Sequence, residues 1–303
     1  MLARGPHLDA IRSGGLRLLE PDGSTVVGRV AASSDLTDLG PQDVVLLALK
    51  AHQIEAVAPS LHLLYDEGTT VVPLQNGVPW WFFQRLGGPF EGRHLQTLDP
   101  NGVIEACIPV ERIVGAIAFP AAHRESPGVI RLIEGDKFPV GELDGSRSER
   151  AGAIADSLKA AGFSSRVLTD IRQHLWVKAW GNLAFNPISA LTGATLAEIC
   201  RHPETRRLAT TMMEEASRIA EALGLRIRVS IEQRIEGAEG VGEHKTSMLQ
   251  DLEAGKPLEI DCMTGAIVEL AARLEVSVPH TEAVHACVKL LDRLPRRPAA
   301  VSS

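Results

Sequence analysis

Cysteine is scarce in this 303-residue chain, and the four present, Cys107, Cys200, Cys262 and Cys287, form no C-x-x-C pair. Scattered thiols in a chain of this size read as buried, reduced side chains, not as a disulfide framework or a thiolate metal centre. Histidines such as His123, His174 and His244 lack metal-ligand spacing, so no metal is expected. Excess positive charge is missing as well: 31 Lys and Arg against 38 Asp and Glu give a net charge of −7, which disfavours nucleic-acid binding. Long apolar runs are absent; 43–49 and 70–74 are far too short to span a bilayer. No charged-then-apolar leader precedes a small-residue cleavage site, so a cytoplasmic protein without membrane association is expected. The G-x-G-x-x-G turn of dinucleotide-binding domains is nowhere to be found. The one early glycine pair, Gly14-Gly15, lies in a turn after Arg12-Ser13 with no helical pattern behind it.

What is present divides in two. With 45% hydrophobic residues the chain can bury a sizeable core and is long enough for two domains. Asp43-Val-Val-Leu-Leu-Ala-Leu49 reads as a fully buried strand, followed by a helix from about His52 to Leu64. Thr69 to Leu74 and Ile113 to Phe119 are further buried strands. Short β segments are expected at Gly128 to Glu134, Phe138 to Gly141 and Ser165 to Leu168, with a helix from about Ser148 to Ala161. Strands alternating with helices predict a mainly parallel, doubly wound sheet. From Asp170 helical periodicity takes over, at Gln173 to Asn186, Glu204 to Leu223, Ile231 to Ala238, Glu259 to Leu274 and Thr281 to Leu294. Gly224 stands where a helix-ending glycine belongs. The boundary is placed near Thr169, and the tail after Pro295 is expected to fray.

The most informative stretch is Trp176-Val-Lys178-Ala-Trp-Gly-Asn182-Leu-Ala-Phe-Asn186-Pro187. Helical spacing stacks Lys178, Asn182 and Asn186 on one face, while Trp176, Val177, Trp180 and Leu183 occupy most of the remainder. Desolvation lowers the pKa of a buried ammonium toward the range useful for proton transfer. A lysine and two amides in that setting suit giving a proton to one ligand oxygen and hydrogen-bonding others. The bland alternative is a snorkelling surface lysine with two helix-end asparagines, Asn186 merely stopping the helix before Pro187.

Five pieces occur in order: Asp43 to Lys50-Ala-His-Gln; Leu74-Gln-Asn76-Gly77; Trp176-Val-Lys178 with Asn182 and Asn186-Pro187; His244-Lys-Thr-Ser247-Met-Leu-Gln-Asp251; and Glu259-Ile-Asp261. Together, over nearly the whole chain, they resemble the ketopantoate reductase (2-dehydropantoate 2-reductase) family. That resemblance implies reduction of the ketone of ketopantoate to pantoate with NADPH, on the route to pantothenate and coenzyme A. Residue by residue it makes Lys178 the general acid. Asn182, Asn186 and Ser247 would be substrate-binding residues, and Asn76 would be shared between substrate and cofactor. Arg4, Lys50, Ala122 and Glu259 would be cofactor-binding residues, with Arg4 on the ribose 2′-phosphate and Glu259 keeping Lys178 charged. A small 2-keto acid is the implied partner, and a homodimer is left open. The bland alternatives are that Ser247 is only an N-cap for the helix from Met248, and Glu259 only a first-turn helix acid.

The resemblance implies an α/β fold class: an N-terminally incomplete Rossmann-like domain over 1–169 followed by an all-helical domain over 170–303. Met1-Leu-Ala-Arg4-Gly matches the end of the family's second strand, so the first strand, glycine-rich turn and helix are expected to be missing. Either the chain as given starts at an internal methionine, or it is a truncated product that binds NADPH poorly. Residues 79–102, with Trp80-Trp81-Phe82-Phe83, form a longer connection than many family members have. Its aromatics could line a dimer contact, cap the cleft or form an ordinary surface loop. Three functions stay in competition: ketopantoate reduction, reduction of another 2-keto acid, and a non-catalytic helical interaction module.

Overall fold

In the computed structural model, which describes residues 1–294, the first helix is α1 (Gly5–Gly14). Pro6 sits in its first turn, where a missing amide hydrogen does no harm. The helix buries only Leu8 and Ile11, too thin a stripe to announce itself in the sequence. Two strands follow that were also not expected, β1 (Leu16–Leu19) and β2 (Thr25–Gly28). Further on, β3 (Val44–Leu47), α2 (Ala51–Val57) and β4 (Thr70–Pro73) make a parallel β-α-β unit, with Val44 opposite Thr70. After α3 (Val103–Cys107) come β5 (Val114–Ala116), the hairpin β6 (Ala121–Ser126) and β7 (Val129–Glu134), then β8 (Val140–Glu142) and α4 (Glu149–Ala160).

The expectation of a mainly parallel sheet is corrected. Parallel pairing joins β3 to β4, a bridge from Val71 to Ile113 extends it toward β5, and β5 then pairs antiparallel with β8. A separate sheet, ordered β2-β1-β7-β6, is antiparallel except between β1 and β7. The expected strand at 165–168 is reduced to one isolated bridge, Val140 to Val167, with another just before it, Lys137 to Ser164. Nor is β3 fully buried: Val45 and Leu47 face the core, whereas Val44 and Leu46 are 39% and 53% exposed. Among the described strands β3 pairs only with β4, and its outer face carries no cover.

The second lobe is helical: α5 (Ile171–Thr192), α6 (Leu196–Arg201), α7 (Pro203–Ala222), α8 (Ile231–Val241), α9 (Ser247–Glu253), α10 (Ala266–Arg273) and α11 (Pro279–Arg293). Its axis is α5, which packs against α7, α9 and α11. This helix does not stop at Asn186; it continues through Pro187 because Phe185 before it and Ile188 and Ala190 after it are all held in the core. Gly224 follows α7 as expected, with Leu225 N donating to Ala220 O at 2.9 Å. The expected helix from Glu259 is broken by a π-helical turn, Asp261–Gly265, immediately before α10. The frayed tail expected after Pro295 lies outside the described residues.

None of the three readings of the 79–102 aromatics holds. Trp80–Phe83 form a 3₁₀ turn buried in the main core, with the Phe82 ring 5.7 Å from that of Trp176. Arg172, itself buried, donates to Phe82 O at 2.6 Å and also to the carbonyls of Leu143 and Gln84, fixing this irregular backbone. The lobes meet most tightly just before it. Gly77 has φ +78°, and a Cβ there would lie 2.2 Å from Cys262 O, the carbonyl that accepts from Val78 N at 2.8 Å. Only glycine allows both the backbone angle and the approach.

Candidate active site

Between the strand ends of the first lobe and helices α5, α8 and α9 of the second lies a cavity of about 600 Å³. Lys50, Asn76, Ala122, Lys178, Asn182, Asn186, Ser247 and Glu259 all line it, although they are spread over more than two hundred residues of sequence. Three consecutive turns of α5 supply Lys178, Asn182 and Asn186, as their spacing required. Lys178 is therefore no snorkelling surface residue.

Its Nζ donates to Asn76 Oδ1 at 2.8 Å and to Ala118 O, and lies 5.6 Å from the centre of the Phe119 ring. Both acceptors are neutral. Burial pushes the Lys178 amine down to about 8, with the Glu259 charge opposing that shift only in part. Glu259 thus opposes the loss of the Lys178 charge, as expected, but by its field and without a direct hydrogen bond. The Glu259 carboxylate is committed elsewhere: Lys50 Nζ donates to Glu259 Oε2 at 2.9 Å and to Asp251 Oδ2 at 2.7 Å, and Ala51 N donates to Glu259 Oε1 at 3.1 Å. Burial by itself would lower the Lys50 amine, but the two carboxylates outweigh it and the net displacement is upward.

Ser247 is not the helix cap that it resembled. Thr246 caps α9, its Oγ1 accepting from Leu249 N at 3.3 Å, so Ser247 Oγ is left to accept from Asn186 Nδ2 at 3.4 Å on the cavity wall. Asn182 makes no side-chain hydrogen bond among the described residues and presents its amide to the cavity. Arg4 is not brought to this cavity. It precedes α1 with its side chain exposed and without an ion-pair partner among the described residues.

Among the cavity residues that sequence reasoning did not assign, Gln75 and Arg234 stand out. Gln75 donates to Leu47 O at 2.7 Å, and its Oε1 is buried with no partner. It stands beside Asn76, and its neighbourhood was the only available signal. Arg234 in α8 has no local signal at all, because only the crossing of α8 over α5 carries it to the cavity. Outside the cavity, His94, Asp99 and Glu105 bring three ligand-type atoms within 4.8 Å of one another. Hydrogen bonds already use them: His94 meets Glu105 Oε2 at 3.0 Å, and Asp99 accepts from Ile104 N and Glu105 N at the start of α3.

The wall between β3, β4 and the 118–122 segment fits a nicotinamide cofactor in the chemistry of its donors and acceptors. It offers the unpaired acceptor of Gln75, the cation of Lys50 and a run of backbone along the cavity. Comparison with known proteins agrees with the geometry. The family profile described as Ketopantoate reductase PanE/ApbA matches residues 1–145, and that described as its C-terminal part matches 170–292. A 2-dehydropantoate 2-reductase of Mesorhizobium japonicum is 48% identical over 96% of this chain and 89% of its own length. A solved structure from Ralstonia solanacearum MolK2, described as a candidate ketopantoate reductase, superposes with a TM-score of 0.91 at 39% identity, covering 96% of this chain and 88% of that one. The solved 2-dehydropantoate 2-reductase of Geobacter metallireducens gives 0.82 at 26% identity, covering 95% and 90%.

Proposed function

Since the chain belongs to the ketopantoate reductase family, we propose that it reduces the ketone of 2-dehydropantoate to pantoate with NADPH. The observation that carries this reading is the Lys178 ammonium, held by two neutral oxygens at the seam of a cavity that also presents Asn182, Asn186 and Ser247. NADPH supplies the hydride when bound; Lys50, Gln75, Asn76, Ala122 and the backbone around it would hold it. A ketone carbon that gains hydride leaves negative charge on its oxygen. Lys178 stabilises that charge and then neutralises it by transferring a proton from Nζ. Asn76 keeps the amine aimed, because its Oδ1 already accepts from Nζ. Asn182 and Asn186 can donate to and accept from a substrate hydroxyl without adding net charge. Ser247, at the start of α9, meets the carboxylate side.

Selection of NADPH over NADH falls to Arg4, whose guanidinium can pair bidentately with a 2′-phosphate. Its place outside the cavity suits the far end of a long cofactor. The carboxylates of Asp251 and Glu259 are bound to Lys50 and hold that cation in place at the mouth.

Steady-state assay of purified protein with 2-dehydropantoate and either NADPH or NADH tests the reading, together with Lys178→Ala. We expect turnover with NADPH, and a kcat lowered by about 10²-fold or more in the variant, the scale of general acid catalysis. Cofactor affinity should change little. An unchanged kcat in Lys178→Ala would remove the lysine as proton donor, and absence of turnover with 2-dehydropantoate alongside good turnover of another 2-keto acid would replace the substrate.

A further inference from the structure

Besides Lys50 and Lys178 the cavity holds a third cation, which the mechanism above leaves unused. Arg234 lies in the first turn of α8 and lines the cavity beside Gly181, Asn182 and Ala238. Lys178 has its two oxygens, Lys50 its two carboxylates and Arg172 its three carbonyls. Among the described residues the Arg234 guanidinium has no hydrogen-bond or ion-pair partner. Burial pushes it below its ordinary value, and no carboxylate among the described residues opposes that shift.

Room for this group is made by one residue. A Cβ added to Gly181 would fall 2.1 Å from Arg234 Nη2 and 2.6 Å from its Cζ, so the guanidinium rests directly on the backbone of α5. Glycine inside a buried helix is unfavourable relative to alanine, and here it opens a seat for a planar cation. Gly181 lies three residues beyond Lys178 and next to Asn182. Three residues of helix rise about 4.5 Å, which puts the seat of the guanidinium less than one turn along α5 from Lys178, on the neighbouring stretch of the same cavity wall.

We propose that Arg234 is the anion anchor of the cavity and binds the carboxylate of the 2-keto acid whose ketone faces Lys178. The assignment rests on the reductase reading and deepens it by naming what selects a keto acid over a neutral ketone. A guanidinium presents two parallel N–H donors that match a carboxylate, and a desolvated, unpartnered one gains most from an arriving anion. Ser247 meets the same carboxylate from the start of α9 and the amides place the rest of the molecule, while Arg234 supplies the charge recognition.

The test uses the full chain with saturating NADP⁺, so that no reduction can occur. Calorimetric titration compares 2-oxo-3-methylbutanoate with its methyl ester in the wild type, Arg234→Gln, Arg234→Lys and Gly181→Ala. The wild type should bind the acid at least about tenfold more tightly than the ester. Arg234→Gln should weaken the acid by about 10- to 100-fold, the range for a lost hydrogen bond to a charged group. Ester and NADP⁺ binding should move less than threefold, and Arg234→Lys should recover part of the loss. Gly181→Ala, which retains the charge but occupies its seat, should also weaken the acid selectively, and it keeps the test available if the glutamine variant does not fold. Acid binding within threefold of wild type in Arg234→Gln overturns the proposal, as does equal weakening of acid and ester or a wild type without preference for the acid. Turnover separates this from the broader reading. Selective acid binding through Arg234 without reduction refutes only the reductase assignment, whereas reduction with no effect of Arg234→Gln refutes only the anchor.

Discussion

At Lys178 the proton is held by an amine whose two contacts, Asn76 Oδ1 and Ala118 O, carry no charge. Burial lowers the amine to about 8, so it is protonated below that pH and neutral above it. A step that needs the proton should therefore fade as pH rises. We expect log kcat/KM for reduction to be level below about 8 and to fall with a slope near −1 above it. Lys178→Arg, whose side chain keeps its proton throughout, should remove that limb from the pH–rate profile while lowering the plateau; a limb that persists in the variant assigns the titration to another group. Lys178, Asn182 and Asn186 were legible because helical stacking is a local property. The partner of Glu259 was not, since Lys50 lies 209 residues away and nothing local selects it over Lys178. Ser247 illustrates a closer competition, in which the neighbouring threonine takes the capping role and frees the serine hydroxyl.

Helices of the second lobe show what a strong pattern can and cannot reveal. The stripe Ala209, Met212, Met213, Ala216, Ile219 and Ala220 places α7 in the core unambiguously. Within that stripe sits Glu215, 1% exposed, accepting from His280 N at 3.0 Å, Thr281 N at 2.9 Å and Thr281 Oγ1 at 2.7 Å at the start of α11. Burial would raise this carboxyl, but the hydrogen bonds from Thr281 and His280 outweigh it and hold it below the usual carboxylate range. A folded-state value below the unfolded one contributes stability that is present above the ordinary carboxylate pKa and is lost as pH falls through the lowered value. Glu215→Gln should lower stability by about 1.5–3 kcal/mol at neutral pH. In urea titrations the gap between wild type and variant should narrow under acid conditions. Elements without such a stripe escaped notice: β2 exposes all four of its residues, and β6 exposes five of six. Neither alternation nor helical period survives when no face is buried. The missed α6 did carry a readable sign, the Thr195–Glu198 capping box.

For the whole molecule, the order of an α/β lobe followed by a helical lobe was legible, because periodicity changes character along the chain. Sheet connectivity was not, since strand partners are chosen by non-local packing. The seam between lobes was equally hidden, although its chief residue belongs to the Asn76-Gly77 turn. Gly77→Ala would force a positive φ on alanine, about 1–2 kcal/mol, and drive its methyl into Cys262 O, adding about 1–3 kcal/mol or more of overpacking. We expect a marked fall in melting temperature together with lost activity, because Asn76, which aims Lys178, is its neighbour. A variant that melts like the wild type would show that the lobes do not depend on this contact. The π-helical turn Asp261–Gly265 lies on the other side of the same seam. Helical residues step round their axis by about 100° each, so one additional residue resets the azimuth of everything that follows. Glu259, ahead of the turn, looks toward the cleft, whereas Glu269, beyond it, receives the amides of Gln96 and Thr97. Regular winding would swing the later carboxylate away from those amides; the irregular turn lets the residue at the head of this helix address the cavity while the helix itself braces the 96–97 backbone.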